Sequence, residues 1–174
     1  MATRKSMWVI FGILIISAWV LGSAIQVRAE TMKCRVARVV TKDETMPVTD
    51  EEGHVLAMQI SQGVAFFENG DIANFKAQAI SDRATGTGRG SQAISYLYFT
   101  FEDGSSIIVR NEYRSITDST GKISTKTVGE IIKGTGRYEG AKGTFSSTGK
   151  KLPSIKGEAD KFFAEATIIY TLSK

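Results

Sequence analysis

The stretch Ile131-Ile132-Lys133-Gly134-Thr135-Gly136-Arg137-Tyr138-Glu139-Gly140-Ala141-Lys142-Gly143-Thr144-Phe145 decides the architecture. Its glycines, at 134, 136, 140 and 143, reach backbone angles closed to other residues and let a second chain segment come close. Ile131 and Ile132 read as the end of one strand, and Thr144-Phe145 as the start of the next. Between them the chain must fold sharply, with Tyr138 tucked under the bend. Strand, glycine corner and strand together predict the end of a closed β-barrel, where a sheet bends on itself.

Working outward, residues 92–101 and 106–117 form the clearest hairpin, joined at Glu102-Asp103-Gly104. With Gly104 in a three-residue bulged turn, Phe101 faces Ser105 and the register follows. One face then collects Leu97, Phe99, Phe101, Ile107, Val109 and Tyr113, with Ser95 and Asn111 between them. This face is expected to look inward. The other carries Ile94, Tyr96, Tyr98, Ile108, Arg110 and Glu112, and looks to solvent or to a partner subunit.

Upstream, residues 32–40 read as a first strand and 41–53 as an acidic loop holding Pro47. Residues 54–60 read as a second strand and 63–67 as a short third. Asn69-Gly70 is a strong hairpin signal. Residues 72–80 alternate Ala73, Phe75, Ala77 and Ala79 against Ile72, Asn74, Lys76 and Gln78, the period of a half-buried strand. Residues 82–90 read as a glycine-rich turn, and 118–122 as another. Residues 123–132 lead into the corner, and 144–152 leave it. Residues 162–172 close the chain, with Phe162, Ala164, Ala166, Ile168, Tyr170 and Leu172 on one face. Nothing here sustains a helical period for three turns. Strands punctuated by turn signals argue an all-β antiparallel barrel or sandwich. The barrel is favoured because it leaves no open edge.

Residues 1–29 stand apart from this domain of residues 30–174. Arg4 and Lys5 make a basic start, residues 7–25 are almost wholly apolar, and Val27-Arg28-Ala29 places small residues where a signal peptidase reads. The expectation is an N-terminal hydrophobic signal helix cut after Ala29, and a protein exported to the periplasm or secreted. The alternative is an uncleaved membrane anchor through residues 7–25, since the apolar run approaches the ~20 residues that span a bilayer. Charge follows the same division. Of 22 basic residues, Arg4, Lys5 and Arg28 belong to the leader, which leaves 19 against 18 acidic ones. The net +4 of the chain falls to +1, and no basic stripe interleaved with aromatics remains to suggest a nucleic-acid partner.

The segments Phe99-Thr100-Phe101-Glu102-Asp103-Gly104-Ser105 and Lys133-Gly134-Thr135-Gly136-Arg137-Tyr138-Glu139-Gly140-Ala141-Lys142-Gly143 resemble the allene oxide cyclase-like barrels. The glycine corner also resembles that of dirigent proteins, whose barrel is related. The resemblance spans residues 55–172. It implies a closed, calycin-like barrel of eight antiparallel strands with an apolar interior pocket, assembled as dimers or trimers. Family activities are the cyclisation of an unstable fatty-acid epoxide and the stereochemical control of radical coupling. The catalytic glutamate and asparagine of the plant cyclases match no motif position here, nor do the cavity acids and arginines of dirigent proteins. No catalytic residue is therefore carried over, because a shared fold does not carry shared chemistry.

The residues themselves support little catalysis. His54 is the only histidine, which excludes a multi-histidine metal site, and its plain reading is a solvated turn residue. Cys34, the only cysteine, cannot form an internal disulfide and has no neighbour to lower its pKa, so it is expected to pack on the first strand. Gly86-Thr87-Gly88-Arg89-Gly90 has the look of a phosphate loop, but no helix follows it. Asp43-Glu44 with Asp50-Glu51-Glu52 could offer oxygen ligands to calcium but lacks the spacing of an EF-hand loop, and a solvated loop is the simpler reading. No metal or cofactor is expected. The inward polar groups Ser95, Asn111, Tyr113 and Tyr170 either hold a ligand or satisfy one another in a filled barrel. The candidate ligand-binding set is Ser95, Leu97, Phe99, Val109, Asn111, Tyr113 and Tyr170. The expected partner is a small apolar molecule bound without turnover; the alternative is a cyclase or isomerase acting by confinement.

Overall fold

The computed structural model describes residues 28–84 and 90–173. The expected signal helix lies outside the described residues, as do residues 85–89 of the turn at 82–90. Eight strands follow in order: β1 (Glu30–Pro47), β2 (His54–Phe67), β3 (Ile72–Ala84), β4 (Gly90–Phe101), β5 (Ser106–Thr117), β6 (Ile123–Thr135), β7 (Ala141–Lys151) and β8 (Lys161–Leu172). Each pairs antiparallel with the next, and β8 returns to β1, so the sheet closes into a barrel. No helix among the described residues is long and apolar enough to cross a membrane.

The β4–β5 hairpin has the expected register. The Phe101 N–H donates to the Ser105 carbonyl at 2.9 Å, Gly104 takes φ +80°, and Leu97 pairs with Val109, Phe99 with Ile107 and Ser95 with Asn111. The glycine corner is tighter than expected. β6 runs on to Thr135 and β7 begins at Ala141, leaving a single 3₁₀ turn, Gly136–Tyr138, at the bend. Gly134 and Gly143 thus lie in strands, where a Cβ would stand 1.9 Å from the carbonyl oxygens of Tyr138 and Ile169 respectively. Tyr138 is buried under the turn, against the rings of Phe101 and Tyr170.

The N-terminal strands correct the reading more substantially. β1 does not stop at Val40. An irregularity between Val40 and Lys42 takes up one residue and pairing continues to Pro47, opposite Val55, so the expected loop at 41–53 shrinks to 48–53. β2 and the expected short third strand are one strand. Gly63, read as the start of the third strand, lies inside β2 at a point of close approach, where a Cβ would meet the Ala37 carbonyl oxygen at 2.0 Å. On the outside, Met58, Ile80 and Ile94 stand opposite one another on neighbouring strands and are exposed.

An eight-stranded barrel is just wide enough for side chains to fill. Towards the glycine corner they fill it. Phe99 is fully buried, with the rings of Phe67, Phe75 and Phe145 between 5.3 and 6.1 Å from its own. Ile107, Val109 and Ile168 are completely enclosed around it.

Candidate functional site

Towards the other end the same alternation delivers small and polar residues. Strand β4 supplies Ser95 after Leu97, and β5 supplies Asn111 and Tyr113 after Val109. Thr125 and Thr127 come from β6, Ser147 from β7, Ala164 and Ala166 from β8. Such side chains cannot meet across the axis, and a cavity of about 50 Å³ remains between them. Phe75, Leu97 and Phe145 also line it, where it meets the packed half.

The polar groups of the cavity are unevenly satisfied. The Ser95 hydroxyl donates to Asn111 Oδ1 at 2.7 Å. Asn111 is 2% exposed, yet its Nδ2 has no hydrogen-bond partner. From β1, Arg38 reaches inward, donates through Nη1 to Ser61 Oγ at 2.9 Å and lies 4.6 Å from the centre of the Phe162 ring. Among the described residues no carboxylate pairs with it. Burial draws the pKa of Arg38 below its ordinary value, with Tyr113 opposing the shift. The neighbouring Arg83 differs: it grips Asp43 with two bonds of 2.9 and 3.0 Å and donates to Ser81. Burial pushes the Tyr113 hydroxyl up, against the pull of both arginines.

The structure thus brings Ser95, Leu97, Asn111 and Tyr113 of the candidate set to one cavity. Phe99 and Val109 lie beneath it in the packed half. Tyr170 sits beyond them at the glycine-corner end, with its hydroxyl bonded to Glu30, which together with burial raises its pKa. Sequence reasoning missed Arg38. The signal was available in the alternation Cys34, Val36, Arg38, Val40, which places the arginine on the inward side of its strand. Gln59 and Ser61 were missed likewise, because the chain was broken between two short strands at that point.

His54 is the other correction. It is 8% exposed rather than solvated, and opens β2 with Nδ1 2.6 Å from an Asp50 carboxylate oxygen and Nε2 3.0 Å from one of Asp82. The bond to Asp50, with help from Asp82, raises its pKa against the opposing effect of desolvation. A histidine bonded to two carboxylates ties the 48–53 loop to β3. It is a clasp rather than a base. Cys34 packs in the core as expected, and burial pushes its thiol up to about 12. Asp43 and Asp50, two of the acids considered for calcium, are engaged by Arg83 and His54. Among the described residues no group of three or more His, Cys, Asp or Glu is placed to hold a metal ion.

No family model matches this chain, and no curated protein does. Solved structures similar to it include two dirigent proteins. The pterocarpan synthase dirigent protein GePTS1 is 12% identical, with a TM-score of 0.45 over 84% of this chain and 92% of that one. The pterocarpan synthase dirigent protein PsPTS1 is 10% identical, with a TM-score of 0.44 over 84% of this chain and 97% of that one.

Proposed function

We propose that this barrel holds a small molecule in the open half of its interior, without chemical turnover. The observation that carries the reading is Asn111, a residue of the cavity wall whose buried amide nitrogen has no partner among the described residues. Buried polar groups are nearly always hydrogen-bonded, and an orphan in a native structure calls for a missing partner. Phe75, Leu97 and Phe145 offer an apolar surface to the body of the same molecule, the usual composition of a ligand site. Absence of turnover is supported by the state of the candidate nucleophile and base, a thiol pushed far up by burial and a histidine clasped by two acids. Native mass spectrometry of protein purified from its source should show a retained ligand. Turnover of an unsaturated epoxide, abolished by Tyr113→Phe or Asn111→Ala, would replace this reading with that of a cyclase or isomerase.

Export after cleavage at Ala29 belongs to the same proposal. What supports it is that β1 starts at Glu30, so the cut leaves every strand intact. Both tryptophans, Trp8 and Trp19, lie in the leader, so the processed protein should fluoresce as a tyrosine-only protein. An intact mass that retains the leader would establish the anchor instead. Dimers or trimers through the outer face of β4 and β5, where Ile94 and Tyr96 are exposed, should show in light scattering. A monomer there would remove that part.

A further inference from the structure

We propose that the molecule held in this cavity is a small monocarboxylic acid with a compact apolar body, its carboxylate bound by Arg38 and the Nδ2 amide of Asn111. The inference rests on the reading of the cavity as a ligand site and names the chemistry of its occupant. Two independent features of the cavity wall point the same way. The orphan Nδ2 of Asn111 is a donor and calls for an acceptor. Arg38 brings a cation to the same space, and among the described residues its side-chain hydrogen bond, to Ser61, is to a neutral oxygen. A guanidinium has five N–H groups in a fixed fork that matches a carboxylate. Arg38 is half-buried, and a cation partly withdrawn from water without a counter-charge is costly, a cost that an anion in the cavity reduces.

The contrast with Arg83 sharpens the assignment. That arginine is neutralised by Asp43 through a bidentate pair, so the protein supplies a carboxylate at one position and withholds it at the next. The missing carboxylate is the one the ligand brings. One unpaired cation beside one neutral amide suits a single negative charge rather than a phosphate dianion. Below the charged group, Phe75, Leu97 and Phe145 bound a cavity of about 50 Å³, room for a body of only a few carbon atoms, and the packed half beyond them bars a long extended chain.

The test compares an acid with its neutral isostere. The barrel domain is titrated with propionate and with propionamide, reading affinity by calorimetry and the Asn111 side-chain amide resonances by NMR. Propionate is expected to bind at least about tenfold more tightly than propionamide, as for hydrogen bonds to a charged group, and to shift the Asn111 amide signals. In Arg38→Gln, which retains a donor for Ser61, the preference should collapse to within about twofold. The wild-type comparison stands even if that variant folds poorly. Propionamide binding as tightly as propionate would overturn the carboxylate assignment and leave the ligand site standing. If neither compound, nor shorter and longer members of either series, moves the Asn111 signals, the ligand site itself falls and this inference falls with it.

Discussion

The two halves of the barrel interior are made by the same eight strands on the same alternation, yet one is solid and the other hollow. Near the glycine corner, Phe67, Phe99, Phe101, Phe145, Tyr138 and Tyr170 meet across the axis as tilted or edge-on pairs. A few residues along, the inward positions become Ser61, Ser95, Asn111, Thr127 and Ser147, and a cavity opens. The backbone does not set this difference, because strand count fixes the width of the barrel throughout. Side-chain volume sets it. The packed half carries the stability that lets the hollow half keep an orphan amide and an unpaired arginine.

If that division is right, substitutions should sort by where they fall. The largest effect is expected for Phe99→Ala, which removes a fully buried ring from contact with three others. It should cost about 3–5 kcal/mol in chemical denaturation, the range for truncating a core aromatic. A loss under about 1 kcal/mol would show that the packed half is not the stabilising one. Ser95→Ala in the hollow half should cost less, about 1–3 kcal/mol, since it leaves both polar atoms of the Asn111 side chain unpaired. The double replacement Ser95→Ala/Asn111→Leu removes both partners and should restore stability to within about 1 kcal/mol of the parent. The same protein should lose propionate binding. Stability and binding would then part company in a single variant, as two separate half-barrels require.

The smallest expected effect is a pH dependence at the rim. The His54 pKa is raised above its ordinary 6.5, first by its bond to Asp50, so its contribution is complete below 6.5 and fades as pH rises through the raised value. Asp50 is shifted the other way, below 3.8, chiefly by the same bond, so its contribution is complete above 3.8 and fades as pH falls through the lowered value. The stability gap between the parent and His54→Gln should therefore be widest between pH 3.8 and 6.5 and close on the alkaline side. The ring of the single histidine gives one NMR titration to check this. A midpoint below 6.5 would dissolve the clasp.

The β4–β5 hairpin, the Asn69-Gly70 turn and the burial of Tyr138 could be read from the chain because each rests on local chemistry. Gly70 and Gly104 take positive φ in their turns, and alternation turns Leu97, Phe99 and Val109 inward. Pro47 misled for the same reason. By local rules it belongs to a loop, whereas here it ends a long strand. His54 misled because its two carboxylates come from different places, one four residues before it and one on β3.

Sequence alone determined that the chain is built of strands, where most of them turn, and which side of each faces the axis. Those properties follow from backbone angles and a period of two, and they need no neighbour. Closure decided the rest. Arg38 on β1 and Asn111 on β5 share a cavity only because the sheet meets itself at β8, and the cavity exists only where no ring is long enough to reach across it.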